Sequence, residues 1–180
     1  MYRKLDNSEL KRATLQEFRE GEKLPFVVVL DNVRSQHNIG SAFRSADAFA
    51  AERVILCGIC ATPPSAEIRK AALGAEESMF WSYYSNTTDA VKELKEQGYC
   101  IVSVEQTENS TSLEKFKPKM GEKYALIFGN EVKGVSQEVV DMSDFTVEIP
   151  QLGSKHSLNV SVSVGVVLWE AAMALQKHTK

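Results

Sequence analysis

Residues 26–44 read FVVVLDNVRSQHNIGSAFR, an unbroken apolar run followed by a polar turn and a helix-like segment. The run Phe26–Leu30 is typical of a strand buried on both faces, as in a parallel sheet. Asn38 is expected to cap the helix that follows, which continues to about Ala50. A buried strand that passes through a polar loop into a helix is the unit from which α/β domains are built.

The same alternation of strand and helix patterns continues towards the C-terminus. Further strands are predicted at 54–57, 80–84, 99–104, 124–128 and 145–149, and helices at 65–73, 88–97 and 136–141. Residues 105–121 are polar and are expected to form a surface loop or a short helix. The sequence therefore predicts an α/β fold with a mainly parallel sheet flanked by helices.

The last long segment carries two conflicting patterns. Residues 160–164 alternate apolar and polar side chains, as a half-buried strand does. Residues 164–176 are apolar nearly all round and are followed by Lys177, which favours a buried helix. Because that length exceeds a typical strand, we predict one helix from Leu158 to Gln176.

The N-terminal stretch Leu5–Glu20 has the spacing of an amphipathic helix, ended by Gly21. Its polar character is unlike that of a signal peptide. No apolar run in the chain approaches the roughly 18 residues of a membrane span. We therefore expect a cytoplasmic protein with no membrane partner.

The chain has 180 residues, enough for one domain with its own core, and a net charge of −3. A negative charge is unfavourable for RNA binding, since phosphate contacts need Lys and Arg. The charges are uneven, however. Residues 34–70 carry five Lys or Arg against three Asp or Glu, and residues 149–180 carry three against one. A modest basic surface on an acidic protein is compatible with this distribution.

Three cysteines are present, and Cys57 and Cys60 have the C-x-x-C spacing of a redox pair. Cys57 closes an apolar run, so two partly buried thiols are a better interpretation than redox chemistry. A structural zinc ion would need a further ligand from His37 or His156, neither of which has paired-ligand spacing. We therefore expect no metal.

Three loops carry residues suited to binding or chemistry. Residues 38–44 open a helix that could bind phosphate, or Arg44 is simply a surface arginine in a salt bridge. Residues 129–134 follow a strand and suggest a turn where a ligand approaches the backbone, or an ordinary strand-to-helix turn. Ser157 and Asn159 begin the last helix, either as ligand contacts or as N-caps. The glycine patterns of a Walker P-loop and of a dinucleotide-binding fold are absent.

Taken together, these loops resemble the three motifs of the SpoU/TrmH family of RNA 2′-O-ribose methyltransferases, in the SPOUT superfamily. The first matches Asn-x-Gly-x-x-x-Arg through Asn38, Gly40 and Arg44; the second matches Gly-Asn-Glu-x-x-Gly through Gly129, Asn130, Glu131 and Gly134; the third matches Pro-x-x-Gly-x-x-x-Ser-Leu-Asn-Val-Ser through Pro150, Gly153 and residues 157–161. Residues 72–76 resemble a further family signature. The resemblance covers about residues 25–176, so we predict a methyltransferase domain at 25–180 preceded by an N-terminal helical extension at 1–24.

The resemblance implies a C-terminal segment threaded into a deep trefoil knot, and a homodimer with its site near the interface. It implies S-adenosylmethionine as methyl donor, bound in the loops of the knot, and RNA as the acceptor. The residues expected to bind the cofactor are Phe128, Gly129, Asn130, Gly134, Ile149, Leu158 and Asn159.

The resemblance also assigns the catalytic groups: Arg44, Asn38, Glu131, Ser157 and Asn159. A guanidinium scarcely deprotonates in proteins, so we expect Arg44 to clamp the target phosphate or the developing alkoxide rather than act as a base. Asn38 would orient Arg44. Glu131 would either hold that arginine or position the substrate, while Ser157 and Asn159 would contact cofactor or ribose.

Two other functions are compatible with parts of the pattern. A catalytically inactive RNA-binding protein would keep the fold without methyl transfer. A nucleotide-binding oxidoreductase is disfavoured by the missing glycine fingerprint. The acceptor is expected to be tRNA or rRNA, with a compact tRNA preferred because only about two dozen residues precede the predicted domain.

Overall fold

The computed structural model describes residues 2–10 and 12–177. One parallel sheet of seven strands, in the order β3-β2-β1-β6-β4-β7-β5, forms the centre of this part of the chain. The strands are β1 (Leu24–Asp31), β2 (Ala51–Cys57), β3 (Phe80–Tyr84), β4 (Tyr99–Val104), β5 (Thr111–Ser112), β6 (Lys123–Phe128) and β7 (Phe145–Glu148). The helices are α1 (Leu15–Glu20), α2 (Gln36–Ala48), α3 (Ala66–Ala72), α4 (Ala75–Ser78), α5 (Thr87–Glu96), α6 (Gln137–Met142) and α7 (Val160–Lys177). The predicted fold class, a parallel sheet flanked by helices, is confirmed.

Strand β1 is buried on both faces, as its unbroken apolar run predicts. Val28 packs with Phe43 of α2 and Leu168 of α7 on one face of the sheet. Val29 packs with Val91 of α5 on the other face. Burial of each such side chain contributes about 1.5–3 kcal/mol, so these two layers account for much of the stability.

The predicted C-terminal helix is confirmed, although it begins at Val160. Val164 and Leu168 lie four residues apart and are fully buried, whereas Val162 and Val166 are exposed. The alternating valines therefore face opposite sides of a helix instead of a sheet. The periodicity of the longer segment, together with burial against β1, outweighs the short strand-like pattern.

The prediction that Asn38 caps α2 is wrong. Ser35 is the N-cap, and its side-chain oxygen accepts a hydrogen bond from the Asn38 amide at 3.2 Å. Asn38 lies inside the first turn, where its side chain is 8% exposed. Because the Ser35 side chain accepts the free N–H group of Asn38, the Asn38 side chain remains available for other partners.

The predicted N-terminal helix from Leu5 to Glu20 is also wrong. A 3-10 turn at Asn7–Glu9 and the short helix α1 take its place. Thr14 and Glu17 form a capping box, because each side chain accepts a hydrogen bond from the main-chain amide of the other. This local start signal begins a new helix at Leu15.

Gly40 occupies the crossing of α2 and α3. A Cβ atom at this position would overlap the Ile68 carbonyl oxygen and the Ala71 side chain. The glycine of the first motif therefore serves close helix packing, and it fixes the spacing of these two helices.

The other predicted elements are confirmed to within a few residues, with β5 and a 3-10 turn at Leu113–Lys115 inside the predicted surface loop. The division at residues 24/25 and the trefoil knot stay predictions. Residues 1 and 11 of the predicted extension and residues 178–180 of the predicted domain lie outside the described residues. Within the described ranges, no helix is long and apolar enough to cross a membrane.

Candidate active site

The first two motif segments lie together because the strands that precede them, β1 and β6, are neighbours. Strands β1 and β6 are paired in parallel, so the loops that follow them lie side by side. The Glu131 carboxylate joins these loops: Oε2 accepts a hydrogen bond from the Arg34 amide at 3.0 Å, and Oε1 accepts one from the Ser35 amide at 2.9 Å. A carboxylate in this position holds the start of α2 in a fixed orientation.

Asn38 links the third segment to the other two. Its Nδ2 donates a hydrogen bond to Glu131 Oε1 at 3.0 Å, and its Oδ1 accepts one from Asn159 Nδ2 at 3.1 Å. Asn159 also caps α7, since its Oδ1 accepts a hydrogen bond from the Ser161 amide at 2.8 Å. The capping interpretation of Asn159 is therefore correct, and the same side chain also reaches the first motif.

The Glu131 carboxylate remains ionised at neutral pH. Burial acts to raise its pKa, but the hydrogen bonds from the amides of Arg34 and Ser35 and from Asn38 outweigh burial, and the pKa is lowered. An ionised carboxylate only accepts hydrogen bonds, so all three donors point towards it. This fixes the Asn38 amide with its oxygen directed towards Asn159.

The loop from Gly129 to Gly134 closes on itself. Asn130 and Gly134 exchange main-chain hydrogen bonds of 3.0 and 2.9 Å. A Cβ atom at Gly129 would overlap the backbone of Gly134 and Val135. The Asn130 side chain is used within the protein, donating to the Asn32 carbonyl at 2.7 Å and accepting from the Val132 amide at 2.9 Å. Gly129 and Asn130 therefore shape the loop, whatever it binds.

A cavity of about 310 Å³ lies between this loop, the ends of β4 and β7, and the start of α7. Its lining includes predicted cofactor residues, namely Phe128, Gly129, Asn130, Gly134, Ile149 and Leu158, and the predicted catalytic residues Glu131 and Ser157. Asn159 is adjacent to the cavity but is not part of its lining. The volume lies at the lower end of the range for small-molecule sites.

Arg44 lies outside this cavity. It lines a second depression, the α2–α3 groove, together with His37, Ser41, Ser45, Ala48, Phe49, Lys70 and Ala71. The cavity and the groove share no lining residue. Arg44 is exposed and, among the described residues, forms no ion pair or hydrogen bond, so the expected alternative of a surface salt bridge is not found.

A family model for the SpoU rRNA methylase family matches residues 25–169. The chain belongs to the SpoU rRNA methylase family. A curated relative from Staphylococcus haemolyticus, whose name places it in the TrmH family of tRNA/rRNA methyltransferases, is 32% identical over 156 residues, covering 87% of this chain and 61% of the relative. The chain thus spans about three fifths of the length of the curated relatives it matches.

Solved structures of the SpoU family share the fold. A TrmH/SpoU tRNA modifying enzyme from A. aeolicus superposes with a TM-score of 0.81 at 27% identity, covering 92% of this chain and 82% of that chain. An AdoMet-bound rRNA methyltransferase from Sinorhizobium meliloti superposes with a TM-score of 0.79 at 29% identity, covering 88% of this chain and 60% of that chain.

The SpoU motifs do not identify every residue of the cavity. Glu105, Gln106, Gln151 and His156 also line it. Glu105 and Gln106 directly follow β4, and polar residues at the carboxyl end of a parallel strand are a recognisable signal for a ligand contact. The interpretation of residues 105–121 as a surface loop or a short helix missed that signal.

Cys57 and Cys60 are buried thiols. Cys57, Cys60 and Cys100 are free, and the first two are buried. Burial raises the pKa of Cys57 to about 12 and that of Cys60 to about 11. No group of three or more His, Cys, Asp or Glu side chains within residues 2–10 and 12–177 is arranged to hold a metal ion.

Proposed function

We propose that the chain is an S-adenosylmethionine-dependent RNA methyltransferase that acts on a ribose 2′-hydroxyl. The observation that carries this proposal is the junction of Asn38, Glu131 and Asn159, which brings all three SpoU motifs to the edge of one cavity. Distant segments that are joined by hydrogen bonds beside a cavity are the arrangement expected for a functional site.

The cavity suits S-adenosylmethionine in its apolar lining and in its charge. Apolar side chains, including Phe128, Ile149 and Leu158, line it and would contact the adenine. Three carboxylates also line it, those of Glu105, Glu131 and Glu148, against one lysine, Lys133. This excess of negative charge favours a donor that carries a positively charged sulfur. When bound, the cofactor supplies an activated methyl group.

The proposed role of Arg44 is electrostatic. A guanidinium stays protonated and presents several N–H donors, so it can bind a phosphate or stabilise the oxyanion that develops on a ribose. Asn38 is the third residue of α2, and Arg44 lies six residues further along the same helix. The Glu131–Asn38 junction therefore positions the helix that carries Arg44. Ser157, exposed at the cavity, would contact cofactor or ribose.

We propose that a homodimer brings Arg44 to the reaction. An exposed apolar stripe on α7, formed by Val162, Val166 and Trp169, runs from the cavity side towards the α2–α3 groove, where Trp169 contacts Phe49 at 6.1 Å between ring centroids. A twofold axis through this stripe would set the groove end of one helix against the cavity end of the other. Arg44 of one copy would then face the cavity of its partner.

RNA is the proposed acceptor, with tRNA preferred over rRNA, and the cytoplasm the proposed place of action. Three exposed cations form no side-chain ion pair among the described residues: Arg34 just before α2, Arg44 in the second half of α2, and Lys70 on α3. Arg44 and Lys70 line the same groove, and unpaired cations side by side are suited to phosphate contacts.

Methyl transfer from tritium-labelled S-adenosylmethionine to purified tRNA and rRNA tests this function, followed by mass spectrometry of the nucleosides. The expected product is a 2′-O-methylnucleoside in tRNA. RNA binding without any transfer would support the inactive RNA-binding protein instead. Label on a base would show that the acceptor is not the ribose hydroxyl.

A further inference from the structure

The cavity contains a carboxylate that none of the family motifs includes. Glu105 directly follows β4, and β4 pairs with β6, so the end of β4 lies next to the loop that begins at Gly129. Glu105 lines the cavity at this point.

The Glu105 carboxylate holds the end of the glycine loop, the loop from Gly129 to Gly134, in place. Oε2 accepts a hydrogen bond from the Val135 amide at 2.9 Å, and Oε1 accepts one from the Gln106 amide at 3.0 Å. A Cβ atom at Gly134 would overlap Oε2. Gly134 also has a φ of +68°, a conformation that glycine adopts at little cost. The backbone thus leaves room for the carboxylate and fixes both of its oxygens.

The Glu105 carboxylate can nevertheless accept further hydrogen bonds. Each carboxylate oxygen can accept two hydrogen bonds, and each Glu105 oxygen accepts one from a described residue. Glu131, by contrast, accepts three hydrogen bonds from Arg34, Ser35 and Asn38. Glu148 accepts none from the described residues. Glu105 is therefore the cavity carboxylate that is fixed in place with one open position on each oxygen, whereas Glu131 has an open position on Oε2 only.

Two adjacent hydroxyl groups match such a carboxylate. In α/β folds that bind nucleotides, an acidic residue beyond the end of a parallel strand accepts a hydrogen bond from a ribose hydroxyl. The proposed cofactor has one ribose with two neighbouring hydroxyls and one ammonium group. A carboxylate with one open position on each oxygen fits the hydroxyl pair.

We propose that Glu105 binds the cofactor by accepting hydrogen bonds from the ribose hydroxyls of S-adenosylmethionine. This inference rests on the proposed function, and it adds a cofactor contact that the motifs lack. Glu105 would then act twice, since it also fixes the end of the glycine loop through Val135. Ligand occupancy and the shape of that loop would be coupled through one side chain.

The test uses calorimetric titration of Glu105→Gln with three ligands. S-adenosylhomocysteine carries both the ribose and the amino-acid group. 5′-Methylthioadenosine keeps the ribose but lacks the amino-acid group, and its 2′-deoxy analogue also lacks one ribose hydroxyl. Hydrogen bonds to a charged group predict about tenfold or greater weakening of the first two ligands. The deoxy analogue should show a clearly smaller difference between variant and wild type. Glu108→Gln, in the same loop but outside the cavity lining, serves as the control.

Each outcome of these titrations distinguishes the proposed role of Glu105 from another role. Equal weakening for all three ligands would assign Glu105 a purely structural role, and weakening of S-adenosylhomocysteine alone would assign it to the ammonium group; either overturns the proposal. If Glu105→Gln does not fold, the comparison is made in the wild-type protein, which should bind 5′-methylthioadenosine more tightly than the deoxy analogue. Tight binding of S-adenosylhomocysteine without that discrimination overturns this inference only, whereas no binding at all overturns the proposed function with it.

Discussion

Asn38 Nδ2 donates a hydrogen bond to Glu131 Oε1 at 3.0 Å, although 93 residues separate the two in sequence. The Asn38 Oδ1 atom then accepts from Asn159, so one amide group holds three distant segments together. Because the acceptor is an ionised carboxylate, the orientation of the amide is determined, and the position of α2 follows from it.

Arg44→Ala should abolish methyl transfer while leaving cofactor binding largely intact. The side chain lies outside the cavity, and loss of one group that stabilises a developing oxyanion typically lowers kcat by about 10²–10³-fold. Transfer of tritium to RNA measures the first effect, and calorimetry with S-adenosylhomocysteine measures the second. Arg69→Ala, on α3 and paired with Glu77 at 3.5 Å, is the matched control and should retain activity. Loss of cofactor binding in Arg44→Ala would contradict the proposed role.

Glu131→Gln should flatten the acid side of the stability profile. The pKa of Glu131 is lowered in the folded protein from its ordinary value of 4.5, so its stabilising contribution is present above that value and is lost as the pH falls through the lowered pKa. Urea unfolding between pH 3 and 7 would show a smaller loss of stability on acidification for the variant. A variant profile parallel to that of the wild type would contradict this assignment.

Gly129→Ala should destabilise the protein by about 1–3 kcal/mol or more, because its Cβ atom would overlap the backbone of Gly134 and Val135. Gly153→Ala is the matched control, since no atom lies within 4 Å of a Cβ atom there. Thermal unfolding of both variants measures the difference. Equal melting temperatures would show that the loop opens at little cost.

Cys57 and Cys60 should resist alkylation by iodoacetamide at pH 8 in the folded protein. Burial raises their pKa to about 12 and about 11, so almost none of either thiol is present as thiolate. Mass spectrometry after labelling, with and without urea, measures this. Rapid labelling of the folded protein at either position would revive the redox interpretation.

Trp169→Glu should convert the proposed dimer into a monomer and lower methyl transfer. Trp169 is 54% exposed on the α7 stripe, and a charge in an apolar interface costs binding energy. Sedimentation velocity measures the oligomeric state. Met120→Glu, at another exposed apolar side chain, is the control and should behave like the wild type. A monomeric wild-type protein with full activity would contradict the dimer.

The sequence predicts the sheet well because the apolar patterns and breaks that define its strands are local in the chain. The apolar run of β1 and the breaks between elements determine where strands and helices lie. In α7, the helical periodicity of the longer segment outweighs the strand-like alternation at its start. The N-terminal prediction failed because a capping box outweighs weak periodicity in a segment whose helix buries no side chain.

The site is predictable only in part, since its contacts join residues far apart in sequence. Motif resemblance led to Asn38, Glu131 and Asn159, but it did not predict that Ser35 would take over the capping role and free the Asn38 side chain. Glu105 was missed because it belongs to no motif, and it reaches the cavity only through the pairing of β4 with β6.

The absence of a side chain at Gly40 sets the distance between two cations, Arg44 on α2 and Lys70 on α3. It lets α2 approach the Ile68 carbonyl of α3, and Arg44 and Lys70 face the groove from these two helices. Any side chain at position 40 would wedge the helices apart and move one cation away from the other. Even a methyl group there would therefore change how the proposed RNA substrate binds, without itself touching RNA or cofactor.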